Sequence, residues 1–235
     1  MLAHKRNALF LAAALTLPSI ASAQEDVPIP ISANLTFTTD YVWRGASLSN
    51  EKFAVQGGFD WESEGTGIYL GTWASNVSLQ QADVEIDFYG GWAKSWGDWG
   101  ADVGIIHYDY PGESKLNTDE LYFTGSWKWL SASYYSIISS EYFGVADARG
   151  SGYLTIAAAY TLPMGLTLGG SYGSTMLSGS TAGISNSNAD YDDYKLYAGY
   201  SYTGLDFELG WTDTDVKNPA PIFEDRVYFS VSKSF

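Results

Sequence analysis

The sequence predicts an all-β protein: a single transmembrane, antiparallel, up-and-down β-barrel of about 12 strands, of the outer-membrane type. Three observations predict this fold. The chain opens with an export signal, continues in blocks of alternating apolar and polar residues, and ends on an aromatic residue, Phe235, that closes such a block. A terminal aromatic after an alternating strand is typical of outer-membrane barrels.

The N-terminal segment has the order of a secretory signal peptide. Lys5 and Arg6 precede an apolar run over 8–17, and Ala21-Ser22-Ala23 supplies small residues for cleavage. We therefore expect residues 1–23 to be removed and residues 24–235 to form one barrel domain. The apolar run is shorter than the roughly 18 residues that a transmembrane helix needs, so a membrane location requires strands.

Composition excludes several classes of function. Loss of Lys5 and Arg6 with the signal changes the formal net charge from −15 to −17, which disfavours binding to nucleic acid phosphates. The chain has no cysteine, so disulfides and cysteine metal sites are excluded. Its 25 glycines and 16% aromatic residues suit closely paired strands with aromatic belts at the membrane interfaces.

Period-2 alternation identifies the strands. In the clearest block, Leu205, Phe207, Leu209 and Trp211 alternate with Asp206, Glu208, Gly210 and Thr212. In a lipid barrel, the apolar face contacts acyl chains and the charged face lines the lumen. The predicted strands are 33–44, 52–62, 67–75, 83–94, 99–110, 119–129, 131–142, 152–162, 166–175, 191–203, 205–214 and 225–235.

The predicted connections alternate between tight turns and longer polar segments without exception. Gly97-Asp98 and Thr203-Gly204 are two of the tight turns. For an exported barrel, we expect both termini and the tight turns in the periplasm and every long loop outside the cell. A soluble sandwich has no reason to sort its loops by length.

Several segments resemble one proteobacterial family, the TorF family of porin-like proteins, whose domain is called Gcw_chp. The similarity covers nearly all of the chain after the signal and is densest from 35 to 145. The segments that carry it are Asp40 to Gly45, Gly57 to Asp60, Gly71 to Val77, Glu85 to Gly91, His107 to Gly112, Glu120 to Phe123 and Ser133 to Tyr135. The resemblance implies a pore-forming protein of the Gram-negative outer membrane, with no catalytic residue to carry over.

The predicted register gives a census of the lumen, in which acids outnumber bases about two to one. We interpret this excess as favouring cations over anions. The inward acids are Asp40, Asp60, Glu62, Asp83, Glu85, Asp87, Asp102, Glu120, Asp193, Asp206 and Glu208. The inward bases are Arg44, Lys52, Lys128, Lys195 and Arg226. Inward aromatic residues are Trp73, Tyr89, Tyr108, Tyr122 and Tyr135.

Arg44 stands out at the outer end of the first strand. Its guanidinium facing the lumen would form part of a constriction against the acids of the fourth strand, Asp83, Glu85 and Asp87. The alternative is an interface arginine paired with a loop acid.

Three functions follow from this sequence. The first is a porin-like channel for small hydrophilic solutes, with an acidic lumen that mildly favours cations. The second is a sealed barrel, structural or adhesive, that acts through its extracellular loops, because small barrels fill with side chains. The third is a lipid-facing hydrolase using His107 with Ser75 or Ser126, which lacks a nucleophile motif. We expect no enzyme activity.

We expect no cofactor and no metal site. The acid clusters at 190–193 and 213–215 match no calcium-loop spacing and are interpreted as solvated rim charges. Expected partners are outer-membrane lipid and lipopolysaccharide, the barrel-assembly machinery through Phe235, and an unidentified small solute. The sequence leaves monomer and homo-oligomer open.

Overall fold

The computed structural model describes residues 30–235. The predicted signal peptide at 1–23 lies outside the described residues. The chain forms a closed antiparallel barrel of twelve strands, which confirms the predicted fold class. Among the described residues, no helix is long and apolar enough to cross a membrane.

Residues 30–235 contain sixteen strands, β1 to β16, of which twelve form the barrel wall. The wall strands are β1 (Ile31–Thr38), β4 (Ala54–Glu62), β5 (Ile68–Leu79), β6 (Ala82–Trp96), β7 (Trp99–Asp109), β8 (Thr118–Trp127), β9 (Leu130–Ile137), β10 (Gly152–Thr161), β11 (Leu166–Met176), β14 (Tyr191–Tyr202), β15 (Leu205–Thr214) and β16 (Arg226–Ser234). The other four form two short hairpins: β2 (Val42–Trp43) with β3 (Ala46–Ser47), and β12 (Ser180–Thr181) with β13 (Ile184–Ser185).

Pairing of the first and last wall strands closes the barrel. In this antiparallel pair, Asn34 lies opposite Ser234 and Thr38 lies opposite Ser230. Closure leaves no exposed strand edge, so every wall strand is hydrogen-bonded on both sides. Within each strand, alternate residues face the barrel interior and the outside.

The two ends of the barrel differ in their connections. At the turn end, the connections are 63–67, 97–98, 128–129, 162–165 and 203–204. At the loop end, they are L1 (39–53), L2 (the turn 80–81), L3 (110–117), L4 (138–151), L5 (177–190) and L6 (215–225).

Three boundaries differ most from the sequence-based expectation. β5 runs on to Leu79, so a two-residue turn at 80–81 replaces the predicted long connection, and the strict alternation of connection lengths is wrong. The first strand ends at Thr38 instead of 44, because the chain leaves the wall to form L1. β9 ends at Ile137 instead of 142, which assigns the remaining residues to L4.

Candidate functional site

Most charged side chains of the wall lie on the interior face, and those that face outward, such as Asp119 and Lys233, lie near the ends of strands. On β6, Glu85 and Asp87 are buried, whereas Phe88, which faces outward, is 54% exposed. Strand pairing propagates this register around the barrel, since Glu85 lies opposite Ser75 and Asp87 opposite Tyr108. The predicted residues that lie on the interior face, or on L1 inside it, are Asp40, Arg44, Asp60, Glu85, Asp87, Tyr89, Asp102, Glu120, Lys195, Asp206, Glu208 and Arg226. Asp83 is exposed beside the turn 80–81, where the register of the β5–β6 pair shifts.

Two predicted interior bases lie elsewhere. Lys128 is in the tight turn after β8, with a positive φ of 55°, and its ammonium is 3.7 Å from the Asp98 carboxylate of the adjacent turn. Lys52 is exposed in L1, two residues before β4 begins. In both cases the predicted strand was longer than the observed one, so the alternation was continued into a connection.

L1 folds back into the barrel as a finger, residues 40–49, that contains the β2–β3 hairpin. The two residues at its tip, Arg44 and Gly45, have φ values of 46° and 77°. Both central residues of this two-residue hairpin turn therefore have positive φ, as in type I′ turns. Close approach at the tip requires glycine, because a Cβ at Gly45 would lie 2.5 Å from Thr214 Cγ2 and 2.9 Å from Asp193 Cβ.

The Arg44 side chain is held from several sides. Its Nη2 and Nη1 donate to the two carboxylate oxygens of Glu120, at 2.7 and 2.9 Å, in a bidentate ion pair. Nη1 also donates to the Tyr142 hydroxyl of L4, at 2.9 Å. The guanidinium carbon lies 4.0 to 4.9 Å from the ring centroids of Trp43, Tyr153 and Tyr135. These distances permit cation–π attraction, which strengthens when the charge is desolvated.

The pair is shielded from water. The side chain of Arg44 is 3% exposed and that of Glu120 is 0% exposed. Burial also raises the pKa of Tyr142, in L4, above its ordinary value. The acid that pairs with Arg44 is Glu120 of β8, and not one of the β6 acids that the sequence suggested.

Glu85, one of those β6 acids, anchors the base of the finger instead. Its two oxygens accept hydrogen bonds from the Tyr41 and Tyr110 hydroxyls, at 2.9 and 2.7 Å. On the opposite wall, the Tyr191 hydroxyl donates to the Arg44 carbonyl at 3.0 Å. The finger therefore contacts β6, β8 and β14, and spans the interior.

Asp40, at the start of the finger, contacts both the end of the finger and the wall. Its Oδ1 accepts from the hydroxyls of Ser47 and Ser49, at 2.6 and 2.7 Å. Its Oδ2 lies 3.7 Å from Nη1 of Arg226 on the wall. These contacts join the start and end of the finger to each other and to β16.

At the level of the finger, the barrel interior is filled. Each wall strand contributes at least one buried inward side chain there. One such set is Thr38, Ala54, Ser75, Glu85, Tyr108, Glu120, Ile137, Tyr153, Thr175, Asp193, Thr212 and Arg226. Within the described residues, the finger and this ring together close the loop half of the barrel in this conformation.

The turn half is a solvent-accessible vestibule. Its tyrosine rings lie along the wall, each over a glycine of a neighbouring strand. A Cβ at Gly71 would overlap the Tyr89 ring, and one at Gly210 would overlap the Tyr228 ring. Rings lying flat on the wall leave space toward the barrel axis. The Tyr–Gly pairs of the vestibule are Tyr89/Gly71, Tyr69/Gly91, Tyr122/Gly104, Tyr197/Gly169 and Tyr228/Gly210.

Carboxylates of the vestibule accept hydrogen bonds from these tyrosines. On β14–β16, Lys195 Nζ is 2.9 Å from Glu208 Oε1, which also accepts from the Tyr228 hydroxyl at 2.6 Å. Tyr197 completes this group, because Lys195 lies 4.9 Å from its ring centroid.

The facing wall has a similar group of residues. The Tyr89 hydroxyl donates to Asp60 at 2.5 Å, and the Tyr69 hydroxyl donates to Asp102 at 2.6 Å. Tyr69 also shares a hydrogen bond with Tyr122. These five residues, called the tyrosine–aspartate wall below, lie on adjacent strands from β4 to β8.

The geometry does not support a His107 hydrolase. The His107 ring is on the outward face, where its Nδ1 lies 2.7 Å from Oδ1 of Asp119. Ser75 and Ser126 lie on the interior face, since they pair with the inward residues Glu85 and Gly100. Neither candidate serine therefore shares a face with the histidine.

Sequence reasoning missed the finger and the true partner of Arg44. One local signal was available: Arg44-Gly45 stands between two short segments, Val42-Trp43 and Ala46-Ser47, and glycine favours a hairpin turn. The choice of Glu120 over the β6 acids had no local signal, because 76 residues separate the two partners.

Comparisons with known proteins agree with this architecture. No curated protein matches the sequence significantly. Among solved structures, the chain is similar to the KdgM porin, with 11% identity, a TM-score of 0.58, and coverage of 87% of this chain and 99% of that one. KdgM in complex with disordered oligogalacturonate gives a TM-score of 0.56, at 11% identity and the same coverage. The NanC porin gives 0.52, at 8% identity, over 86% of this chain and 97% of that one.

At such identities these likenesses establish the fold. The sequence itself matches one protein family over residues 22–235, described as "Bacterial protein of unknown function (Gcw_chp)". That span includes every described strand and confirms the resemblance found from the residues, so the chain belongs to the Gcw_chp family.

Proposed function

We propose that this protein is an outer-membrane channel for small hydrophilic solutes. The observation that carries the proposal is the sidedness of the barrel wall. Large apolar side chains cover the outside, including Phe59 (62% exposed), Leu70 (58%) and Leu196 (61%), whereas most of the charges, and all those in the middle of the strands, face inward. Exposing such a surface to water would be unfavourable, while acyl chains accommodate it without cost.

Aromatic residues at the barrel ends support a membrane location. Trp99 and Trp127 pack against each other near the turn end, with ring centroids 6.0 Å apart. Phe37 and Phe53 stack outside the loop end, at 5.9 Å. Aromatic girdles at both interfaces are typical of outer-membrane barrels. We place the loop end outside the cell and the turn end in the periplasm, with export by the predicted signal at 1–23.

The charge of the vestibule favours cations. The acids Asp60, Glu62, Asp102, Asp206 and Glu208 are opposed by one base, Lys195, in the solvent-accessible part of the described interior. A cleft with excess negative charge concentrates cations and repels anions. The polyanion oligogalacturonate, named with the similar KdgM structure, is therefore a poor expected solute for this chain.

The finger controls passage in this proposal. Because the loop half is filled, a solute that enters the vestibule meets Arg44 and Glu120 before it can cross. Conduction then requires the finger to shift. That shift would break the Arg44–Glu120 ion pair and the hydrogen bonds that hold the finger to the wall.

The buried ring also favours a second candidate, a permanently sealed barrel whose loops act as an adhesin or structural surface. The two candidates differ in what happens when the finger is loosened. A gated channel opens, whereas a sealed barrel either stays closed or unfolds.

The deciding experiment is planar-bilayer conductance of the refolded protein in a potassium chloride gradient. The wild type is compared with Arg44→Ala, and heat-modifiable mobility on gels confirms that each barrel is folded. Openings in the variant that are longer or larger than in the wild type, with a cation-selective reversal potential, support the channel. Silence of both folded proteins overturns it in favour of the sealed barrel.

A further inference from the structure

Two cations inside the barrel are held by one repeated arrangement of groups. Arg44 is bound by the Glu120 carboxylate and lies over aromatic ring faces. Lys195 is bound by the Glu208 carboxylate, and its Nζ lies 4.9 and 5.4 Å from the ring centroids of two tyrosines. In both places, a carboxylate supplies the charge and tyrosine rings supply a negative face.

The tyrosine–aspartate wall offers the same groups with no cation of the described protein at their centre. Asp60 and Asp102 each accept one tyrosine hydroxyl through Oδ1. Each carboxylate is partly exposed to the vestibule and keeps a second oxygen to accept from a ligand. A tyrosine hydroxyl that donates to a carboxylate also leaves its ring richer in electrons.

The rings of this wall are placed so that a ligand can lie over them. Tyr89 lies over Gly71, Tyr69 over Gly91, and Tyr122 over Gly104. Tyr69 and Tyr89 are partly exposed, so their ring faces are accessible from the vestibule, whereas Tyr122 is buried against Tyr135 and shares its hydroxyl with Tyr69. A second tyrosine wall, on β14–β16, faces them across the barrel, because β6 and β14 lie six strands apart in the ring of twelve.

We propose that the tyrosine–aspartate wall is a binding site for organic cations that carry a guanidinium or ammonium group. The inference rests on the proposed function, since it names the solute class of that vestibule. Arg44 and Lys195 show which two cationic head groups this combination of carboxylate and tyrosine accepts inside the same barrel.

The test is isothermal titration calorimetry on the folded protein in detergent, which requires no conduction. The probe is L-argininamide, and its matched control is L-citrullinamide, which replaces the guanidinium by a neutral ureido group of nearly the same shape. We expect argininamide to bind at least tenfold more tightly. Equal affinity for the two, or no binding of either, overturns the site.

Variants locate the binding. Asp60→Asn with Asp102→Asn keeps the shape and removes both charges, and we expect at least a tenfold loss of argininamide affinity. Glu64→Gln with Asp98→Asn, at exposed residues of the turns 63–67 and 97–98, removes the same number of charges outside the wall and should change the affinity less than twofold. Equal losses in both proteins would show a general charge effect and overturn the assignment to this wall.

A ring substitution tests the aromatic part separately. Tyr89→Phe keeps the ring face and removes the hydroxyl, whereas Tyr89→Leu removes both. We expect Leu to weaken argininamide binding several-fold more than Phe. Binding in detergent by a protein that is silent in bilayers would overturn the channel and keep the site. Conduction by a protein that does not bind argininamide would support the channel and overturn the binding site.

Discussion

The guanidinium of Arg44 and the carboxylate of Glu120 form a bidentate ion pair, with both side chains essentially inaccessible to solvent. One partner lies at the tip of a loop and the other on the barrel wall, 76 residues later. A buried pair of this kind is weak evidence of added stability, yet breaking it leaves an uncompensated charge. The pair therefore fixes where the finger sits.

Removal of one partner should loosen the finger. Glu120→Ala leaves the Arg44 charge buried without its carboxylate, which should lower the free energy of unfolding by about 3–5 kcal/mol. Urea unfolding in detergent measures the change. The double variant Arg44→Met with Glu120→Leu removes both charges and should recover much of the loss. A double variant as unstable as Glu120→Ala would contradict the assignment.

Gly45 should tolerate no side chain. Its φ is 77°, and a Cβ there would overlap Thr214 and Asp193, so Gly45→Ala should displace the finger and increase conductance. Gly65 is the matched control, because its φ is 76° and a Cβ placed there would have nothing within 4 Å. Gly65→Ala should cost only about 1 kcal/mol and leave conductance unchanged. Equal effects of the two substitutions would refute steric contact at the tip.

Ion selectivity should follow the accessible acids. Glu62 and Asp206 are exposed on the interior face near the turn end, whereas Glu85 is buried beneath the finger. Glu62→Gln with Asp206→Asn should shift the reversal potential toward zero, and more strongly at low salt because screening is weaker.

Glu85→Gln serves as the comparison for that shift. It should leave selectivity nearly unchanged and act on finger stability, since both Glu85 oxygens are occupied by tyrosine hydroxyls. A larger selectivity change in Glu85→Gln than in the Glu62→Gln with Asp206→Asn variant would show that ions pass beside the finger base.

The Tyr–Gly pairs should set the width of the vestibule. Gly71→Ala places a methyl group where the Tyr89 ring lies, so the ring must turn toward the barrel axis and lower the conductance. Gly125→Ala is the control, because its Cβ would make one ordinary contact, 3.9 Å from Phe123. Conductance of both variants in one bilayer series measures the effect. Unchanged conductance in Gly71→Ala would show that the vestibule is not limiting.

The sequence by itself determined the wall of this barrel. Period-2 alternation in a closed sheet has two faces only, so the register of a strand such as β15 (Leu205–Thr214) follows from where its charges lie. Tight turns, such as Gly97-Asp98, marked most strand ends at one side. At the other side this local signal failed, because β5 continues past the point where its apolar pattern weakens.

Only the tertiary structure decided what fills the barrel. The sequence indicated that Arg44 faces inward, but its partner depends on how far the finger reaches across the interior. That reach is set by contacts distant in sequence, such as Tyr191 with the Arg44 carbonyl and Gly45 with Thr214. Alternation reports which face of a strand a residue occupies, and it carries no information on which interior groups meet once the barrel has closed.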